Sequence, residues 1–254
     1  MDAITPRGIE IDRSSARPMD AIRVARTLLR ISRAAGLATL DPGGYPYATM
    51  TNLVVEADGT PAVFMAGLTL HARNVDADPR VSLTMADLGS DMMTTPRLTL
   101  SGEAERVEGA AAEALRARFR ERFPKAQLYL GLPDSRFYRI CVRAVQLNGG
   151  PTRNANDVTP ADLLTDLAPA RELMAAAPAL LAALNEGGAA EALARGAGAT
   201  QRGRWRASAI DPEGIDLNAP AASARLWFAA RVDGRDAYEA ELARLLRPQA
   251  GGIT

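Results

Sequence analysis

The chain has 254 residues, 47% hydrophobic and 24% charged, which suits one large or two modest globular domains. Its 30 basic and 30 acidic side chains cancel, so no global field draws it to nucleic acid or anionic lipid. One cysteine, Cys141, excludes an internal disulfide, and with a single histidine no zinc site of the Cys/His kind can be built within one chain. The opening MDAITPRGIEID lacks the pattern of a secretory signal, and no stretch approaches the roughly 20 apolar residues that span a bilayer. A cytoplasmic protein without membrane or nucleic-acid partners is the expectation.

Residues 18–35 begin with Pro18, at home in a first helical turn, and place Ala21, Val24, Leu28, Ile31 and Ala35 on one helical stripe. Arg23, Arg26, Arg30 and Arg33 repeat on the opposite side, a pattern that usually marks a solvated face, with an acidic partner surface as the sharper reading. Strand signals follow. LATL (37–40) enters the turn DPGGYP, YATMTNLVVEA (47–57) leaves it, and Asp58-Gly59 predicts a hairpin into PAVFMAG (61–67). RVSLTMAD (80–87), RLTLSGEAERVEG (97–109) and FYRICVRAVQL (137–147) read as further strands, with a helix over 110–122 before the last. Consecutive strands on short turns argue for an antiparallel barrel, a mainly β or α+β class, rather than a doubly wound sheet. No G-x-G-x-x-G or G-x-x-x-x-G-K-[ST] supplies a phosphate cradle.

NGGPTRNANDVTPAD (148–162) is the best boundary, separating a first domain over 1–150 from a smaller α+β domain over 160–254. In the second, an alanine-rich helix over 168–195 precedes the strands RWRASAI and ARLWFAARV, connected through Asp211-Pro212-Glu213-Gly214. A last helix over 234–246 carries Tyr238, Leu242 and Leu245 on one side.

The single histidine lies in TLHARNVDADPRVSL (69–83), where His71, Arg73 and Asn74 interrupt two apolar runs. An arginine fork supplies what a dianionic phosphate needs, and His71 donates one hydrogen bond when neutral and two when protonated. Thr49 and Thr51 point to one face of their strand and offer hydroxyls to the same anion. Met65, Ala66 and Gly67 end a strand with backbone groups and little bulk, which suits a flat ring lying close. A plainer reading has His71 capping a short helix, Arg73 paired with Asp76 or Asp78, and the threonines as ordinary sheet residues. Arg97 and Arg139 fit ion pairs or anion contacts equally, and Gly149-Gly150 fit a loop needing positive φ.

LATLDPGGYPYATMTNLVVEADGTP, LTLHARNVDADPRVSL and PRLTLSGEAERVEG together resemble the split barrel of the pyridoxamine 5′-phosphate oxidase-like, FMN-binding superfamily. The Leu-x-His-x-Arg-Asn stretch before an Asp-Pro-Arg turn resembles its heme-utilisation, heme-oxygenase-type branch, and AIDPEGIDL resembles the small domain appended there. The resemblance implies a homodimer holding a planar anionic cofactor, FMN or heme, in a cleft at the subunit interface. It also implies that a basic pair before the Asp-Pro-Arg turn grips the FMN phosphate. His71 falls at one of those positions, with Arg73 two further on, and Leu70 stands at the other. Cofactor contacts are thus expected from Thr49, Thr51, Met65, Ala66, Gly67, His71, Arg73 and Asn74.

Heme needs an axial donor such as His, Cys, Met or Tyr. The branch takes its histidine from the C-terminal region, but no histidine follows residue 71 here, and LLAALNEGGAAEAL stands where a histidine-bearing helix is expected. Tyr45, Tyr47, Met65 and Cys141 are the substitute donors. A flavin-dependent oxidoreductase ranks first on these grounds, a heme-binding or heme-degrading protein second, and a split-barrel binding module without catalysis third.

Overall fold

The computed structural model describes residues 19–86, 91, 94–149, 154–155 and 158–247. Pro18, the opening twelve residues, Gly150 and, within the 148–162 boundary, residues 151–153 and 156–157 lie outside these. The chain divides into two compact units, Met1–Leu164 and Thr165–Thr254. Residues 160–164 therefore go with the first unit rather than the second: Arg26 donates to the carbonyls of Asp162 (2.6 Å) and Leu164 in the turn they form.

In the first unit helix α1 (Ala21–Ile31) starts at Asp20, whose carboxylate accepts the Arg23 N–H at 2.9 Å. Strands β1 (Ala34–Leu40), β2 (Pro46–Val55) and β3 (Pro61–Ala66) follow as antiparallel neighbours. The β2–β3 turn uses Gly59 at φ 98°, with Asp58 Oδ1 accepting the Thr60 N–H at 2.8 Å. Helix α2 (Leu70–Ala77) then leads to β4 (Arg80–Ala86) and β5 (Arg97–Val107). Helix α3 (Gly109–Arg122) and the short α4 (Gln127–Leu130) precede β6 (Ser135–Asn148), and β7 (Asn154–Ala155) adds a short edge.

The strand order β3-β2-β1-β4-β5-β6-β7 with an added β3–β6 pairing closes six antiparallel strands into a barrel. Its interior holds Leu37, Leu53, Leu83, Leu98, Leu100 and Leu147, all fully buried. Gly102 sits at the β5–β6 bulge because a Cβ there would lie 2.2 Å from the Cys141 carbonyl oxygen. A second cluster, with Phe64, Phe119, Phe123 and Phe137 at centroid separations of 4.8–5.6 Å, seals α3 against the outside of β2 and β3.

Apart from Arg23, which is exposed, the arginine ladder is not a solvated face. Arg30 is buried, and Arg33 Nη2 donates to the Arg122 carbonyl at 2.9 Å at the end of α3. Arg122 returns the arrangement, donating to the carbonyls of Arg30 (2.9 Å) and Ser32 (2.6 Å) at the end of α1. Two helices thus cap each other's last carbonyls with guanidinium groups, which face the negative ends of both dipoles. The apolar stripe accordingly turns to Ala25, Leu28 and Leu29.

The second unit pairs three antiparallel strands, β8 (Arg206–Asp211), β9 (Gly214–Ala219) and β10 (Ala222–Trp227), with α5 (Arg171–Glu186), α6 (Ala189–Gly196) and α7 (Arg235–Leu246). The single expected helix is broken at Gly188, φ 68°. β9 was not expected as a strand, and 228–232 was. The polar side of β9 is buried by an ion cluster: Arg225, 0% exposed at its side chain, donates to Asp211 at 2.7 Å and to Asp216 at 2.8 Å. Burial pulls the Arg225 pKa down, and the two carboxylates outweigh it, holding the value above the ordinary one. Tyr238 is buried in this unit's core and Leu242 and Leu245 pack against it, as the helical spacing predicts.

Candidate functional site

Helix α2 begins after Thr69, whose carbonyl accepts the Arg73 N–H at 3.1 Å. The Thr69 hydroxyl turns backwards and donates to the Ala66 carbonyl at 2.7 Å, tying the helix entry to the end of β3. His71 Nε2 lies 3.1 Å from that hydroxyl. Burial pushes the His71 pKa below its ordinary value of 6.5, and no charged neighbour contributes, so the imidazole is neutral at pH 7.

A helix divides its residues by direction, and α2 divides the expected site. Ala72 and Val75 enter the barrel core, and Asn74, also buried, donates Nδ2–H to Thr39 Oγ1 at 3.0 Å inside the barrel. Asn74 is therefore a strut between α2 and β1. Leu70 and Arg73, three apart, share the open face. Arg73 is exposed, and no side-chain hydrogen bond or ion pair holds its guanidinium among the described residues. The expected partners are engaged elsewhere. Asp76 accepts from Arg136 Nη1 at 3.0 Å and from the Tyr138 hydroxyl at 2.8 Å. Asp78 is gripped by Arg80, whose hydrogen bonds hold its carboxyl at about 2.

Gly67 donates its N–H to the Asp134 carbonyl at 3.0 Å, and a Cβ there would meet the Arg136 guanidinium at 3.2 Å. The missing side chain lets that guanidinium lie on the backbone. Leu68, whose N–H donates to Asp134 Oδ2 at 3.1 Å, is 75% exposed, Leu70 60% and Leu132 42%. Leu68 and Leu70, with Arg73 one turn further along α2, form an exposed apolar shelf, and Arg136, paired with Asp76, lies against Gly67.

Of the remaining expected residues, Ala66 adjoins the shelf through Thr69, and Thr49, Thr51 and Met65 lie in the barrel. Thr49 and Thr51 alternate with outward Ala48 and Met50 and pair with Leu37 and Ala35, so both point into the barrel. Thr51 Oγ1 reaches the Phe64 carbonyl at 3.4 Å. Met65 is in the barrel core, 1% exposed, and Ala66 contributes its carbonyl to Thr69. Arg139 is an ion pair, bidentate to Glu56 at 2.6 and 2.9 Å. Cys141 donates to Glu105 at 3.4 Å, and burial together with that carboxylate pushes its thiol pKa up. Sequence reasoning missed Thr69, Leu68 and Arg136, and named Asp76 only as a partner for Arg73. Thr69 alone carried a signal, as a threonine directly before a helix.

The sequence model of pyridoxamine 5′-phosphate oxidase matches residues 23–149, half of the chain and nearly the whole barrel. The chain belongs to the pyridoxamine 5′-phosphate oxidase family. It is 29% identical over 144 residues to HOZ, a chloroplastic heme oxygenase of Arabidopsis thaliana, across 56% of this chain and 44% of that one. The chain thus spans less than half the length of that curated relative. A solved protein of unknown function from Agrobacterium tumefaciens is 50% identical, with a TM-score of 0.84 over 93% of this chain and 100% of that one. A heme-binding protein from Mycobacterium smegmatis is 28% identical, with a TM-score of 0.55 over 91% of this chain and 97% of that one.

Proposed function

We propose that the chain binds heme, laying an apolar edge of the macrocycle on Leu68 and Leu70 and pairing a propionate with Arg73. The observation that carries this is the entry to α2, where two exposed leucines, Leu68 and Leu70, stand with an exposed guanidinium, Arg73, that has no partner among the described residues. An FMN phosphate carries about two charges at pH 7 and favours more than one cation. A propionate carries one, and heme buries apolar area that the leucines match. Relatives in Arabidopsis and Mycobacterium named for heme chemistry support the same reading. When bound, heme supplies the iron chemistry, and these residues orient its rim and compensate its charge.

FMN is the second reading, favoured by the family match over residues 23–149. Absorbance titration with hemin and fluorescence titration with FMN separate the two. A shifted Soret band that weakens in Arg73→Ala is the expected result. Quenched FMN fluorescence without a Soret shift overturns it.

A second copy of the chain completes the proposal. Two adjacent rows on the outer sheet face, Met50-Gly36-Thr84-Thr99 and Ala48-Ala38-Ser82-Ser101, carry no charge. Met50 in the first is 65% exposed. An uncharged, small-residue surface of this kind suits burial against its own image. Sedimentation should give a dimer that Met50→Glu dissociates, and a monomeric parent removes this element.

A further inference from the structure

The Thr69 hydroxyl has one proton, and the 2.7 Å contact with the Ala66 carbonyl, which has none to give, uses it. Thr69 Oγ1 is then only an acceptor toward His71, so the 3.1 Å contact must be donated by His71 Nε2–H. The neutral ring has no second proton, and Nδ1 is a bare lone pair. That atom has no partner among the described residues and is not one of the buried, unsatisfied polar atoms.

We infer that His71 reads the ligand as a hydrogen-bond acceptor, so the site takes an oxyacid with one proton kept between His71 Nδ1 and an acid oxygen. The inference rests on the proposed placement of the ligand's acid group at α2. A fully deprotonated carboxylate or phosphate would set its lone pairs against that of Nδ1. Binding therefore draws one proton from solvent, whether it resides nearer the nitrogen or the oxygen.

The surroundings leave this proton to His71. β1 and β3, on which α2 packs, carry no charged side chain along Ala34–Leu40 or Pro61–Ala66. Asp76 is held by Arg136 and Tyr138, Asp78 by Arg80, and Asp134 accepts from the Leu68 N–H. Among the described residues the Asp134 carboxylate meets no side chain, and Arg73 is a nearby cation without a side-chain partner.

The test is proton linkage in the full chain, with hemin and FMN as separate probes at pH 7–9. The dissociation constant of whichever probe binds should rise about tenfold per pH unit in the parent and stay flat in His71→Gln, which keeps a polar side chain without a titrating ring. With only one histidine, ¹⁵N spectra of the apo protein read its tautomer directly, and the Nε2–H form is expected. Flat affinity in the parent, an unchanged slope in His71→Gln, or an Nδ1–H tautomer each overturns the inference while leaving the site standing. Failure of both probes to bind removes the site itself, and the inference with it.

Discussion

Replacing Leu70 with lysine reverses the feature on which the heme reading turns. Flavin-binding relatives are expected to carry a basic residue at this position, and here the side chain is 60% exposed on the open face of α2. A charge so placed stays solvated. At 4 Å a unit pair is worth about 1 kcal/mol in water and about 4 at an effective dielectric of 20. Exposure and the entropy of a long side chain pull the net gain toward the lower end, about 1–2 kcal/mol against the FMN phosphate. Leu70→Lys should therefore tighten FMN binding by about tenfold, read by quenching of flavin fluorescence. The gain should fade in 0.5 M salt, where about 4 Å of screening length remains. Hemin affinity should hold or fall, because the lysine removes apolar contact from the shelf. Unchanged FMN affinity at low salt, alongside unchanged hemin affinity, would show that no ligand passes over residue 70.

Arg122→Ala removes two charge-assisted hydrogen bonds to the end of α1 and should cost about 2–4 kcal/mol in urea denaturation, whereas Arg195→Ala, at an exposed pair with Glu191, should stay within about 0.5. Asp211→Asn leaves the Arg225 charge half compensated in a dry core and should cost about 3–5 kcal/mol, and a hydrophobic replacement of all three charges should recover much of it. Gly102→Ala should lower soluble yield or thermal midpoint sharply, since its Cβ meets backbone rather than a movable side chain. The lowered folded-state pKa of His71 means the native protein binds fewer protons than the unfolded chain. Stability should be complete above pH 6.5 and decline as pH falls from there toward the folded pKa, and His71→Gln should flatten that decline in pH-dependent denaturation.

The barrel was legible because its signals are local. Asp58-Gly59 makes the β2–β3 turn as its residue types require, and alternation along β1, β4 and β5 matches their burial. Where the sequence misled, long-range pairing had overruled local pattern. Ile215 and Leu217 alternating with Asp216 and Asn218 look like a half-solvated or irregular stretch. Yet all six residues of β9 are buried, because Arg225 from β10 crosses to neutralise the polar side. The arginines of α1 misled in the same way. Their spacing fits a wet helix face, and only segments distant in sequence give the guanidinium groups carbonyls to bind: Asp162 and Leu164 for Arg26, Ala57 for Arg30, and the end of α3 for Arg33.

The site shows a different limit. Residue type marked His71, Arg73 and Asn74 as one polar cluster, and the physics of a helix splits such a cluster. Each step along α2 turns the side chain by about 100°, so Asn74 goes into the barrel to Thr39 while Arg73 stays outside with Leu70. The plainer reading of this stretch as a short helix already contained that division, but not the chemistry of its histidine. That chemistry comes from a hydroxyl two residues back, which gives its proton to Ala66 and leaves the imidazole nothing to do but donate. A histidine offered as a basic group from sequence thereby becomes, in the folded chain, a neutral base. Phosphate recognition loses one of its two expected cations on that account, independently of the leucine at position 70.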